Sequence, residues 1–197
     1  MKSIYLILDM QNDLVHADGP NGQSPLGEQV RGRRVLANTA LALQKARAAG
    51  IAVGFVRVGF SADYHECPKN SPVFSGASKA GLFRLDSWGT EIHPDLAEQP
   101  GDVQVIKHRV SPFYATNLDV ILRANGIQRL YVSGVSSSGA VLSAAKDGHD
   151  RGYDIFVLDD CCCALTEEQH QAVIEQVKRM TTVTTSAQVT FGEEFQL

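Results

Sequence analysis

Short apolar runs alternating with stretches of helical spacing limit this chain more than any other feature. Residues 4–8 form an apolar run that stops at Asp9, as a strand buried on both faces does. Further β-rich runs cover 51–58, 103–106 (stopping at Lys107), 129–132 (stopping at Ser133-Gly134) and 155–158 (stopping at Asp159-Asp160). Residues 181–185 form a candidate sixth strand, at an edge. Between the runs, 27–49, 117–124, 138–151 and 166–180 carry apolar residues at helical spacing, the first closed by Gly50. Thr166 followed by Gln169 is a capping pattern. Strand and helix in alternation give an α/β fold, a parallel sheet with helices on both faces. Residues 59–102 break the pattern: they are rich in Gly, Pro and Ser, and so long a loop in a compact domain is usually functional.

The 197 residues suit one domain, 1–197, and 44% hydrophobic with 20% charged residues is globular composition. Acids exceed bases by 22 to 18, which argues against nucleic acid or an anionic membrane as the main partner. No apolar run approaches the roughly 20 residues of a membrane helix. The opening residues read as a strand and not as a signal peptide. Three of the 4 cysteines, Cys161, Cys162 and Cys163, are contiguous and make no disulfide framework. A cytoplasmic protein with a small-molecule partner is the expectation.

In open parallel sheets, ligands bind beyond the carboxyl ends of the strands, where strand order reverses. That rule selects Asp9, Lys107 and the Gly134-Val135-Ser136-Ser137-Ser138-Gly139 segment that leads into a helix. A carboxylate, an ammonium and the positive end of a helix at one rim can move a proton, fix a water and hold developing negative charge. Taken singly, each has a plainer role: a turn-forming Asp, a solvated Lys, a serine cap. Their shared rim is what favours a site.

At these residues the chain resembles the isochorismatase-like (cysteine hydrolase) superfamily. The matching pieces are Leu6-Ile7-Leu8-Asp9-Met10-Gln11-Asn12-Asp13, Val105-Ile106-Lys107-His108-Arg109 with Ser111 and Phe113, Thr116-Asn117-Leu118, Tyr131-Val132-Ser133-Gly134-Val135, and Leu158-Asp159-Asp160-Cys161-Cys162. Their order and spacing extend from residue 3 to about 185. The resemblance implies a three-layer α/β/α sandwich around a six-stranded, mainly parallel sheet, and a homodimer or larger homo-oligomer. It implies a hydrolase with Asp9 as acid/base, Lys107 as its partner, and a non-proline cis peptide at Val135-Ser136. Gln11 and the segment containing Val135, Ser136 and Gly139 would contact the substrate. No cofactor is implied.

Most members place a nucleophilic cysteine six residues after the strand-four glycine, and here that residue is Ala140. Without a thiolate there is no covalent acyl-enzyme route to amides. Three readings follow. The chain is a cysteine-free hydrolase like isochorismatases proper, in which an acid protonates a vinyl ether and water attacks. Alternatively, Ala140 replaces the Cys of an amide (C–N) hydrolase, or the pocket survives as a binding or scaffold protein without catalysis. The first reading requires Asp9 to hold a proton, so burial must raise its pKa against the pull of Lys107.

Other candidates carry plainer alternatives. Asp63-Tyr64-His65-Glu66-Cys67 crowds potential ligands, and the nicotinamidase branch binds metal in this region through an Asp and two His. Only His65 is present in this stretch and His93 is distant, so no metal is expected. Phe60, Tyr64, Phe83 and Trp88 are candidate pocket residues or packing for the long segment. Phe113 and Tyr114 follow Lys107 closely enough to wall the pocket. Arg109 is expected to pair with nearby acids, the cysteine run to pack in the core after strand five, and His149 and His170 to lie on helix surfaces. A flavodoxin-like or dinucleotide-binding protein would need a glycine-rich loop after strand one, and no glycine precedes Gly19.

Overall fold

A computed structural model describes residues 1–192; residues 193–197, the end of the expected domain, lie outside the described residues. Six strands, β1 (Ser3–Leu8), β2 (Ala52–Val58), β3 (Val103–Lys107), β4 (Arg129–Val135), β5 (Asp154–Cys163) and β6 (Thr182–Thr184), form one sheet in the order β3-β2-β1-β4-β5-β6. Every adjacent pair is parallel. Strand order therefore reverses between β1 and β4, where the ends of both strands meet at one rim.

Successive residues of β1 point to opposite faces and all six are buried. Tyr5 and Ile7 pack with Val30 of helix α2 (Pro25–Gly32) and with Val35, Ala42, Leu43 and Ala46 of α3 (Val35–Ala48). Ile4, Leu6 and Leu8 pack on the other face with α5 (Leu118–Ala124), α6 (Leu142–Asp150) and α7 (Glu167–Val177). Two short helices, α1 (Asn12–Val15) and α4 (Ala77–Ala80), lie in the connections. The result is the expected three-layer sandwich. The Thr166 hydroxyl caps α7 by accepting from the Gln169 N–H, as its spacing predicts. Among the described residues, no helix is long and apolar enough to cross a membrane.

Three boundaries differ from the sequence expectation, each for a local reason. The helix expected over 27–49 is two helices, broken at Arg33 and Arg34, the latter left-handed at φ 56°. Arg33 leaves the helical path to reach the end of β5, donating to the Cys162 and Asp159 carbonyls, the Asp159 carboxylate and both Glu167 oxygens. The fifth strand does not stop at Asp159-Asp160 but continues through the three cysteines. Its pairing shifts from Val132↔Val157 to Gly134↔Cys162, a bulge that takes up the extra residues. Both acids are satisfied where they stand, Asp159 by Arg33 and Asp160 by the Ser186 N–H at 2.7 Å. The helix expected over 138–151 begins as a π-turn, Ser137–Val141, before α6.

The long connection of residues 59–102 builds a small core of its own, from Val58, Phe60, Cys67, Phe74, Ala77 and Phe83. Tyr64, Leu82, Leu14 and Val110 pack against it.

Candidate active site

Gly134 sets the rim. It pairs with Leu8 across β1 and β4 at φ 145°, and a methyl group there would lie 2.3 Å from the Leu8 carbonyl oxygen. This close approach places Asp9, left-handed at φ 56°, beside the end of β4. The peptide between Val135 and Ser136 is cis, as the resemblance implies. Register between β2 and β3 pairs Val58 with Lys107, so the lysine comes from the far side of the same rim.

Lys107 Nζ lies 2.8 Å from Asp9 Oδ2 and donates also to the Arg109 carbonyl at 3.2 Å. Both side chains are nearly fully buried, 2% and 7% exposed, so the pair is shielded from water. Asp9 Oδ1 is buried with no hydrogen-bond partner. Burial raises the Asp9 pKa above the ordinary carboxylate range, and the opposing pull of Lys107 does not cancel it.

A cavity of about 480 Å³ opens over this pair, the size of a small-molecule site. Asp9, Lys107, Val135, Ser136, Ser138, Gly139 and Ala140 form its floor, and Leu14, Leu26, Val73, Phe74, Leu82, Phe83, Val110 and Leu165 contribute to its walls. Every floor residue is a strand-end residue or belongs to the 134–140 segment that the sequence singles out. Ala140 lines the same cavity as the Asp9–Lys107 pair.

Five other expected contacts lie outside the lining. Gln11 is fully buried, and its side-chain amide bonds both the N–H and C=O of Val58, extending the backbone pairing of β2. Tyr64 turns its hydroxyl to the Leu82 carbonyl at 2.9 Å. Trp88 packs edge-on against His16 and is 46% exposed. Phe113 stacks on Tyr153 within the core, and Tyr114 is 62% exposed. Of the residues that follow Lys107, Val110 reaches the cavity and neither ring does. Arg109 forms no ion pair with an acid among the described residues; its guanidinium donates to the carbonyls of Glu66 and His108. His65 pairs with Asp63 at 2.7 Å, and His93 lies against His16. Among the described residues, no three His, Cys, Asp or Glu side chains gather as a metal site.

Two buried groups escaped the sequence reading. Asp13 accepts the Phe83 N–H at 2.7 Å, which anchors a wall of the cavity to the segment that follows β1. Its signal was the second acid of Asp9-Met10-Gln11-Asn12-Asp13. His170 is fully buried, not on the surface: Nδ1 lies 2.8 Å from Ser137 Oγ and Nε2 lies 2.6 Å from Asp159 Oδ1. A ring with both nitrogens engaged can be buried at little cost. These hydrogen bonds, with that from Arg33, hold Asp159 below the usual carboxylate range although burial opposes them. The serine, histidine and aspartate resemble a nucleophilic triad, but Ser137 is fully buried and absent from the cavity lining. The network instead pins the turn that carries Ser136, Ser138 and Ala140.

A parallel sheet with a carboxylate–ammonium pair under a cavity at its switch point defines a hydrolase-type α/β site. The isochorismatase domain model matches residues 3–188, and the chain belongs to the isochorismatase family, whose members are hydrolases. It is 35% identical over 134 residues to the isochorismatase family protein YecD of Escherichia coli O157:H7, covering 68% of this chain and 69% of that protein. An isochorismatase family protein from Desulfovibrio vulgaris superposes with a TM-score of 0.84 at 28% identity, over 94% of this chain and 95% of that one. The N-carbamoylsarcosine amidase of Thermoplasma acidophilum shares the fold at 24% identity, with a TM-score of 0.73 and coverage of 96% and 99%.

Proposed function

We propose that this chain hydrolyses a small molecule by acid–base chemistry, with Asp9 moving the proton, Lys107 holding Asp9, and water as nucleophile. The observation that carries the reading is the buried Asp9 carboxylate in the cavity floor, whose Oδ2 is taken by Lys107. Lys107 donates to Oδ2, so the proton of a neutral Asp9 belongs on Oδ1. Asp9 gives that proton to the enol-ether carbon or leaving atom, water attacks the electron-poor carbon, and a proton of that water returns to Asp9. Where the substrate is an ester or amide, the positive end of the turn before α6 would favour the negative charge that develops on its oxygen.

The pH dependence follows from the raised Asp9 pKa. The protonated form is the active one, so turnover holds at low pH and falls as pH rises through that pKa. Lys107→Met removes the pull that lowers it, so the falling limb is expected at higher pH than in the unmodified protein. A limb that stays in place or moves to lower pH, in kcat measured across pH, refutes the role of Lys107.

A second reading, an amide hydrolase whose cysteine Ala140 replaces, is supported by the place of Ala140 in the same floor. Ala140→Cys would put a thiol beside Lys107, which favours its thiolate. The 4 native cysteines are poor competitors: all are buried, and burial pushes Cys163 up to about 12 and raises Cys67. Iodoacetamide is expected to label the thiol introduced by Ala140→Cys faster than Cys67, read by peptide mass spectrometry. Labelling no faster than Cys67 counts against this reading.

A further inference from the structure

The charges around the cavity are few, and both lie in its floor. Among the described residues, Asp9 and Lys107 are the only charged ones in the lining, with Lys107 held by Asp9 at 2.8 Å, so the walls carry no charge. Basic residues next to the walls in sequence face elsewhere: Arg109, beside Val110, is held by two backbone carbonyls, and Arg84, beside Phe83, is exposed and outside the lining. Asn21, Ser136 and Ser138 add neutral hydrogen-bonding groups. The walls are branched aliphatic and aromatic, from Leu26, Phe74, Leu82, Phe83, Val110 and Leu165.

A carboxylate on the body of a ligand would lie against these apolar walls, away from Lys107 and with no counter-ion beside it, a loss that an apolar group of the same shape avoids. Resting on the acid–base reading above, we propose that the substrate is an uncharged molecule with an apolar body and one polar, hydrolysable head. The head lies on the floor, over Asp9 and the Ser136–Ser138 turn. The body fills the space between the walls, which an aliphatic or aromatic group covers and an ionised one does not. A vinyl ether with carboxylates on its body, such as isochorismate, is therefore a poor fit, and a neutral ether, ester or amide is a good one.

Isothermal titration with two matched probes tests this on the full chain. Para-isopropylbenzamide and para-carbamoylbenzoate share a head and a ring, and differ in a neutral or an ionised group of similar shape at the far end. The neutral probe is expected to bind at least about tenfold more tightly, which corresponds to roughly 1.4 kcal/mol. Equal or tighter binding of the benzoate, or no saturable binding of the neutral probe at millimolar concentration, overturns the proposal. Titrating Asp9→Asn in parallel separates the two readings. Neutral preference in both proteins, with no turnover of neutral substrates by the unmodified one, keeps the substrate class and rejects the chemistry. Preference for the ionised probe beside Asp9-dependent turnover does the reverse.

Discussion

Asp9→Asn is expected to leave the protein folded and to lower turnover by about 10²- to 10⁴-fold, the range that a positioned acid or base contributes. Asparagine keeps the shape of the side chain and an oxygen for Lys107, so the link at 2.8 Å can persist while the transferable proton is lost. The change also leaves the lysine charge without its counter-ion in a site only 2% exposed, a loss of up to about 3–5 kcal/mol that the retained contact to the amide oxygen reduces. Circular dichroism and a denaturation midpoint check the fold. A mass-spectrometric assay that includes neutral ethers, esters and amides checks turnover. Activity within a few-fold of the unmodified protein would remove Asp9 from the mechanism.

Gly134→Ala is expected to cost more than about 4 kcal/mol, or to prevent folding, because two penalties coincide there. The backbone stands at φ 145°, and the new methyl would meet the Leu8 carbonyl oxygen at 2.3 Å and Leu8 Cβ at 2.7 Å, in the middle of the sheet. Gly152→Ala is the control: its φ is 83°, but nothing lies within 4 Å of the added carbon. The control carries only the conformational penalty, of order 1 kcal/mol. Urea unfolding of both variants decides the matter. Equal losses would mean that the close approach of β1 and β4 carries no weight.

Much of the floor was legible in the sequence because it sits at strand ends. A buried apolar run that stops at Asp9 or Lys107 states both where the strand stops and what stands on the rim. The walls were not legible, since residues 59–102 have no periodicity to register them, and Tyr64 and Trp88 were aromatic candidates that the chain uses for its own packing. Of that group Phe83 does reach the cavity. Phe113 and Tyr114 failed for a different reason: proximity to Lys107 in sequence says nothing of the direction in which the backbone leaves the strand. Asp159 and His170 read as a strand end and a surface histidine because sequence shows polar groups but not their partners. Arg33 and Ser137, far from both in the chain, are what make their burial possible.

The cavity has two parts with separate foundations. Its floor is the sheet itself, tied by backbone pairing and by the His170 network, so a change that breaks this pairing disturbs the whole fold. Much of its wall rests on the small core around Phe60, Phe74 and Phe83, which meets the rest through a few attachments such as the bond from the Phe83 N–H to Asp13. Recognition can therefore drift while chemistry stands still. Rewriting the wall surface would give a new ligand preference on an unaltered proton-transfer pair, and an engineer seeking another specificity from this scaffold should randomise residues 73 and 82 and leave the strand ends and the small core alone.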